Sequence, residues 1–173
     1  MIPFQLRTKA LKSWQENEGL PKLLVCGGRA YSQKDAYILV RDALDKICEH
    51  HNWKTPPTVE GNYLYAVKVV SGGAKGIDTA AIDWAIVNWC NFVEFTARWE
   101  QHGRAAGAIR NQQMLDEAKP DYVVAFPGGK GTADMVRRAQ KVNVPIIKVD
   151  AAGNVSYPIP AEDSTQQELP FGN

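Results

Sequence analysis

The chain has few of the residues that build metal sites and disulfide frameworks. Its 173 residues include only three cysteines and three histidines. Cys26, Cys48 and Cys90 form no closely spaced pair, so the spacing of a zinc site is missing and we expect no metal. Reduced thiols are the simpler interpretation of the three cysteines, and they favour a cytoplasmic protein.

Long apolar runs and a strong charge of one sign are also missing. No apolar run approaches the roughly 20 residues of a membrane-spanning helix, and the first residues lack the apolar stretch of a secretory signal. We therefore expect a cytoplasmic protein without membrane contact. The formal net charge of +1 gives no overall field that would attract nucleic acid or an anionic membrane. Any site for an anion must be local.

The remaining composition is that of an ordinary globular protein, with 45% hydrophobic and 23% charged residues. We divide the chain into an N-terminal extension over 1–20, one domain over 21–150 and a C-terminal tail over 151–173. The tail contains three acidic residues, no basic ones and three prolines. This composition predicts a flexible acidic tail.

Strand-length apolar runs alternate with helical patterns along the domain. The runs lie at 23–26, 67–70, 92–95, 122–126 and 145–149. Such β-α repetition predicts an α/β fold with a mostly parallel sheet of about five strands. Right-handed crossovers place helices on both faces, as in a single Rossmann-like doubly wound domain. Ser32 and Asp35 form a capping box that marks the start of the first helix.

The segment 51–66 is longer than a typical connection between a helix and a strand. Its Pro56-Pro57 pair argues against a helix there. Two interpretations stay open: a plain insertion loop and a lid over a site.

Four loops follow the carboxyl ends of predicted strands, and that edge of a parallel sheet is where such folds bind ligands. They are GGRAYS from Gly27, SGGAKG from Ser71, TARWEQHGRAAGAIRN from Thr96 and PGGKGT from Pro127. Glycines let backbone N–H groups approach an anion, helix N-termini add positive potential, and arginine binds phosphate oxygens in pairs. The loops therefore predict phosphate binding, although α/β turns also use glycine for their own geometry. Neither G-x-G-x-x-G nor the Walker pattern occurs.

Two of these loops resemble motifs of the SLOG superfamily. VVSGGAKGIDTAA is similar to the glycine loop of the Rossmann-like domain in DNA-processing protein A. AFPGGKGTADM resembles the P-G-G-x-G-T motif of the Lonely Guy cytokinin-activating phosphoribohydrolases. Together with GGRAYS and RWEQHGRAAGAIRNQQML, they most resemble the YspA/YpsA-related branch, which occurs in bacterial and phage proteins. The resemblance covers about 23–149.

The resemblance implies a Rossmann-like fold, a homo-oligomer and a nucleotide or nucleotide-derived ligand, either a nucleoside monophosphate or an ADP-ribose-like molecule. It implies a sensor, a sequestering protein or a weak N-glycosidic hydrolase, and we predict no cofactor. The predicted ligand-binding residues are Gly27, Gly28, Arg29, Ser71, Gly72, Gly73, Lys75, Gly76, Asp78, Trp99, Arg104, Arg110, Asn111, Pro127, Gly128, Gly129, Lys130, Gly131 and Thr132.

Arg110 and Asp134 are the candidate catalytic residues. Arg110, followed by Asn111 and Met114, matches the arginine of the phosphoribohydrolase pattern R-K-x-x-M. The glutamate expected three residues after the motif threonine is Met135 here. Asp134 lies one position earlier, about 100° away around a helix. Cleavage of an N-glycosidic bond needs a carboxylate, but Asp134 also fits a role that only complements the helix dipole.

Other candidates have two interpretations each. Asp78 either binds a ribose hydroxyl or braces its loop, because a carboxylate close to a phosphate would repel it. Trp99 either stacks on a base or shields the sheet edge. Arg98 and Arg104 fit ligand contacts and fit ion pairs with Glu100 equally well.

A second function class is single-stranded DNA binding of the DNA-processing protein A type. Such binding needs basic residues beside stacking aromatics, and Arg98, Trp99 and Arg104 are the candidates. The near-neutral net charge argues against this hypothesis.

The last residues, QQELPFGN, suggest a further partner. Gln166, Leu169 and Phe171 have the Q-x-x-L-x-[LF] spacing that resembles peptides docking on bacterial sliding clamps. The alternative is that Leu169 and Phe171 fold back on the protein's own surface.

Overall fold

The computed structural model describes residues 19–54 and 65–158. Most of the N-terminal extension, positions 55–64 of the predicted insertion, and the tail from 159 onward lie outside the described residues. The clamp-binding hypothesis on Gln166, Leu169 and Phe171 lies there too and stays a prediction.

Within the described residues the chain forms six strands in one sheet. They are β1 (Lys22–Cys26), β2 (Lys68–Ser71), β3 (Asn91–Glu94), β4 (Tyr122–Ala125), β5 (Ile146–Val149) and β6 (Val155–Ser156). Their order is β3-β2-β1-β4-β5-β6. Neighbouring strands are parallel except for β5 and β6. The sheet thus extends outward from β1 in both directions, as the doubly wound prediction requires.

The helices lie between these strands. They are α1 (Gln33–His50), α2 (Ile77–Val87), α3 (Trp99–His102), α4 (Ala106–Gln113) and α5 (Lys130–Lys141). A 3-10 turn (Gly103–Ala105) connects α3 to α4, and a π-helical segment (Met114–Ala118) continues α4. Ser32 is the N-cap of α1, as predicted, because its hydroxyl accepts a 3.1 Å hydrogen bond from the Asp35 backbone N–H and donates one of 2.6 Å to the Asp35 carboxylate.

Two apolar layers cover the two faces of the sheet. Leu23 and Val25 of β1 pack with α1 and α2, whereas Leu24 and Cys26 pack with the π-helical segment and α5. Successive side chains of a strand point to opposite faces, so the buried β1 run serves both layers. The predicted α/β fold with helices on both faces is confirmed.

The sixth strand is a difference from the expected count of about five. β6 has two residues and pairs antiparallel with β5 at the sheet edge. The turn before it is held by the Asp150 carboxylate, which accepts hydrogen bonds of 2.9 Å from the backbone N–H groups of Ala152 and Asn154. A two-residue strand is too short for alternation to be visible in a sequence. It lies in the segment that we assigned to the tail.

The ends of the predicted insertion are close together. Lys54 and Tyr65 form an isolated antiparallel bridge. Across the residues that the structure describes, no helix combines the length and apolar character needed to cross a bilayer. The cytoplasmic location and the homo-oligomeric state stay predictions.

Candidate functional site

The strand order reverses direction between β1 and β4, and open α/β sheets bind their ligands at such a point, outside the carboxyl ends of the strands. A cleft of about 350 Å³ lies at this point. It is lined by Cys26, Gly27, Gly28, Arg29, Ala30, Ala74, Asp78, Arg110, Asn111, Met114, Gly129, Lys130, Gly131 and Thr132. We call it the main cleft. Its walls come from the loops after β1, β2 and β4 and from α4.

The three loops are joined by backbone hydrogen bonds. The Gly28 N–H donates to the Pro127 carbonyl at 2.9 Å, and the Ile77 N–H donates to the Gly28 carbonyl at 3.2 Å. Gly76 has a φ of +92° and no space for a side chain, because a Cβ there would overlap the Gly28 carbonyl. These contacts hold the start of α2 and the β4 loop against the β1 loop. The floor of the main cleft is therefore formed by contacts between the protein's own backbone groups.

The N-terminus of α5 forms one wall of the main cleft. No side chain caps this helix at Gly129. A Cβ built at Gly129 or Gly131 would have no atom within 4 Å among the described residues, so both glycines border open space. The free N–H groups at the start of a helix attract negative charge. This wall can therefore accept an anion.

Arg110 on α4 places a buried cation in the main cleft. Its side chain is 10% exposed. Nη1 donates a 2.6 Å hydrogen bond to the Gly72 carbonyl and lies 3.9 Å from Oδ2 of Asp78. Nε is buried and has no hydrogen-bond partner among the described residues. A buried N–H without a partner is costly, so a ligand oxygen at Nε would relieve this cost.

Asp78 is the acidic residue among those that line the main cleft. Its side chain is 7% exposed. Burial raises the pKa of its carboxyl to about 6, although Arg110 and the backbone N–H groups of Ala74 and Gly27 lower it in part. The hydroxyl of Ser71 donates a 2.8 Å hydrogen bond to the Asp78 backbone carbonyl. Asp78 therefore braces the β2 loop and also presents a titratable group to the main cleft.

Asp134 is held by hydrogen bonds outside the main cleft. Its Oδ2 accepts hydrogen bonds from Asn111 Nδ2 at 3.1 Å and from Arg138 Nε at 2.8 Å. Arg137 donates to Oδ1. Burial raises the pKa of Asp134, but the hydrogen bonds from Arg138 and Asn111 outweigh it and hold the pKa below its ordinary value. This carboxylate is ionised and bound to three side chains of the protein.

Met135, at the position of the family glutamate, is completely buried. It packs in the apolar layer formed with Leu24, Met114 and Ala139. The side chain at this position thus belongs to the core. A carboxylate for hydrolysis is not supplied there.

The structure brings ten of the predicted ligand-binding residues together around the main cleft. They are Gly27, Gly28, Arg29, Asp78, Arg110, Asn111, Gly129, Lys130, Gly131 and Thr132. The other predicted residues are not among those that line it; they are Ser71, Gly72, Gly73, Lys75, Gly76, Trp99, Arg104, Pro127 and Gly128. Several of these shape the walls, as Gly72, Gly76 and Pro127 do through the contacts above.

Sequence reasoning did not place Cys26, Ala30, Ala74 and Met114 in the lining. Cys26, Ala30 and Ala74 adjoin or lie inside the glycine loops quoted above. Met114 is four residues after Arg110, and residues four apart lie on the same face of a helix, so its place beside Arg110 could have been predicted. Burial raises the pKa of the Cys26 thiol, so Cys26 is a neutral wall of the cleft.

Trp99 lies at the margin of the site. Half of its surface is exposed, and the guanidinium carbon of Arg29 lies 5.9 Å from its ring centroid. This distance fits a cation–π contact. Arg104 is exposed in the 3-10 turn. Trp99 therefore has an accessible ring beside a cation of the main cleft.

Comparisons with known proteins agree with this architecture. Residues 21–102 match the model of the family described as YspA, cpYpsA-related SLOG family. The chain is 40% identical over 93 residues to the Gene 61 protein of Mycobacterium phage D29, covering 48% of this chain and 71% of that protein.

One solved structure shares the fold at low identity, and a second is similar to a lesser degree. DNA processing protein A from Streptococcus pneumoniae has a TM-score of 0.51 at 18% identity, covering 75% of this chain and 50% of that chain. The chain thus spans half the length of that structure. DNA processing protein A from Helicobacter pylori, described for its single-stranded DNA binding mode, has a TM-score of 0.45 at 15% identity, covering 85% of this chain and 68% of that chain.

Proposed function

The chain belongs to the YspA, cpYpsA-related SLOG family, and we propose that its main cleft binds a nucleotide or nucleotide-derived ligand through a phosphoryl group. Nucleoside monophosphates and ADP-ribose-like molecules are the leading classes. The single observation that carries the proposal is the buried Arg110 guanidinium, whose Nε has no partner among the described residues. A phosphoryl oxygen is the ligand atom that this group binds best.

The surroundings of Arg110 support an anion. Arg29 and Lys130 add positive charge to the lining, and the uncapped start of α5 adds the positive end of a helix dipole. Asp78 is the opposing charge, and its raised pKa reduces that opposition in mildly acidic solution. A cleft of about 350 Å³ lies within the range of small-molecule sites.

The test is thermal unfolding with a panel that contains AMP, ADP and ADP-ribose. We expect stabilisation of the wild-type chain and none of Arg110→Ala; Arg110→Lys should keep part of it, because the charge remains but the paired donors are lost. Arg41→Ala is the matched control, since Arg41 is exposed on α1 and is not among the residues that line the main cleft. A panel without any stabilising nucleotide at millimolar concentration would refute the proposal.

Hydrolysis of the bound nucleotide is the finer hypothesis. Cleavage of the N-glycosidic bond needs a carboxylate, and the geometry favours Asp78 over Asp134 for this role. Asp78 lines the main cleft. Asp134 already accepts hydrogen bonds from Asn111, Arg137 and Arg138. Release of free adenine from AMP, lost in Asp78→Asn and retained in Asp134→Asn, is the expected result for a hydrolase. Absence of base release leaves a sensor or sequestering protein.

Single-stranded DNA binding is the second candidate. The observation that favours it is the exposed Trp99 ring beside Arg29, with Arg98 and Arg104 on the same segment. Bases stack on such rings while cations follow the phosphates. Retardation of a labelled oligonucleotide that weakens with salt and with Trp99→Ala is the expected result. No retardation at low salt ends this hypothesis.

A further inference from the structure

A second, smaller cleft adjoins the main cleft. It measures about 210 Å³ and is lined by Thr96, Arg98, His102, Ala106, Ile109, Arg110 and Gln113. We call it the side cleft. It lies between the segment after β3 and α4. The two clefts share one lining residue, Arg110.

The side cleft has basic residues and no acidic ones among the described residues that line it. Arg98 and Arg110 carry positive charge, and His102 adds a third basic group. Thr96 supplies a hydroxyl, and Gln113 supplies an amide that already donates one hydrogen bond to Glu117 at 2.9 Å. Such a lining favours an anion and offers it no opposing carboxylate.

The two clefts are also connected along their rim. Arg29 lines the main cleft and lies against Trp99, whose preceding residue is Arg98 of the side cleft. Arg110 forms the partition between them, with Nη1 engaged by the Gly72 carbonyl and Nε buried without a partner among the described residues. A ligand held at Arg110 therefore has a second basic surface within reach.

We propose that the side cleft is a second anion subsite, which takes the second phosphoryl group of a nucleotide that carries two. The proposal rests on the proposed function, because the first phosphoryl group occupies the main cleft. Arg110 contacts both groups, and Arg98 and His102 contact only the second. The subsite selects nucleoside diphosphates or bisphosphates over nucleoside monophosphates.

Calorimetric titration at one fixed ionic strength tests this selection with AMP, ADP and adenosine 3′,5′-bisphosphate. The wild-type chain should bind ADP or the bisphosphate about tenfold or more tightly than AMP, as one charge-assisted contact allows. Arg98→Ala should remove that advantage and leave AMP affinity within about twofold of the wild type. His102→Ala should act in the same direction, and Arg41→Ala should change neither affinity.

The outcomes separate the two proposals. If AMP binds and a second phosphoryl group gives no increase in affinity, the proposal for the side cleft is wrong and the proposal for the main cleft stands. Equal weakening of AMP and the bisphosphate by Arg98→Ala also overturns it, because the effect is then general electrostatics. If none of the three nucleotides binds, the proposal that the main cleft binds nucleotides is wrong as well.

Discussion

The amide nitrogen of Asn111 donates to two acceptors on α5, the Asp134 carboxylate and the Gly131 carbonyl, each at 3.1 Å. Asn111 follows Arg110 on α4, and Gly131 lies at the open start of α5. One side chain thus connects the helix that carries the buried cation to the helix that carries the uncapped N-terminus. Asp134 positions this amide, since it accepts from Asn111 and from Arg138 together.

Asp134→Ala should therefore lower stability and weaken ligand binding at the same time. Loss of charge-assisted hydrogen bonds costs about 1–3 kcal/mol, because Asn111 and Arg138 lose their acceptor. Denaturant unfolding and AMP titration measure the two effects. Glu117→Ala is the control, since Glu117 is exposed and accepts a hydrogen bond from Gln113 on the surface of the protein. Unchanged affinity in a destabilised Asp134→Ala would show that Asp134 has no positioning role.

The pH dependence of anion binding should follow Asp78. Its folded pKa of about 6 lies above the ordinary value of 3.8. The folded chain therefore binds more protons than the unfolded chain between these values, and Asp78 makes stability fall as pH rises through this window. A neutral Asp78 repels an anion less, so sulfate affinity should increase from pH 7.5 to pH 5.5.

Sulfate is the suitable probe because it does not titrate in this range. Asp78→Asn should bind sulfate with little change between the two pH values. His102→Gln is a second control, because His102 lines the side cleft together with Arg110. The same increase in Asp78→Asn as in the wild type would assign the pH dependence to a group other than Asp78.

Much of the site could be predicted because a parallel sheet leaves little freedom at its carboxyl edge. Loops after parallel strands leave the sheet at the same edge, so Gly27 and Gly129 could be assigned to that edge from β-α repetition alone. The local signal at Ser32 was equally direct, since a capping box uses residues three apart in sequence.

The partners of Asp134 could not be predicted in this way. Its acceptor role depends on Asn111, which is 23 residues away and comes close only after α4 packs on α5. The exposed position of Lys75 is a similar case. Lys75 belongs to a glycine loop at the correct edge, but sequence does not state which way a loop side chain points. Long-range packing decides both.

Gly72→Ala should disrupt Arg110 directly. A Cβ at position 72 would overlap the guanidinium and lie 2.9 Å from Nε. The arginine must then move, which breaks its 2.6 Å hydrogen bond to the Gly72 carbonyl. We expect weaker AMP binding by about tenfold or more and lower stability by about 1–3 kcal/mol. Wild-type affinity in this variant would mean that the position of Arg110 does not determine binding.

Gly131→Ala should separate binding from stability. A Cβ at position 131 meets no atom within 4 Å among the described residues, so the unliganded fold accepts it. Alanine is also favoured over glycine in a helix by up to about 1 kcal/mol, so the midpoint of thermal unfolding should stay constant or rise. The added methyl group faces the space where we place the phosphoryl group, and AMP affinity should fall by about tenfold or more. A stable Gly131→Ala variant that binds AMP like the wild type would move the phosphoryl group away from the start of α5.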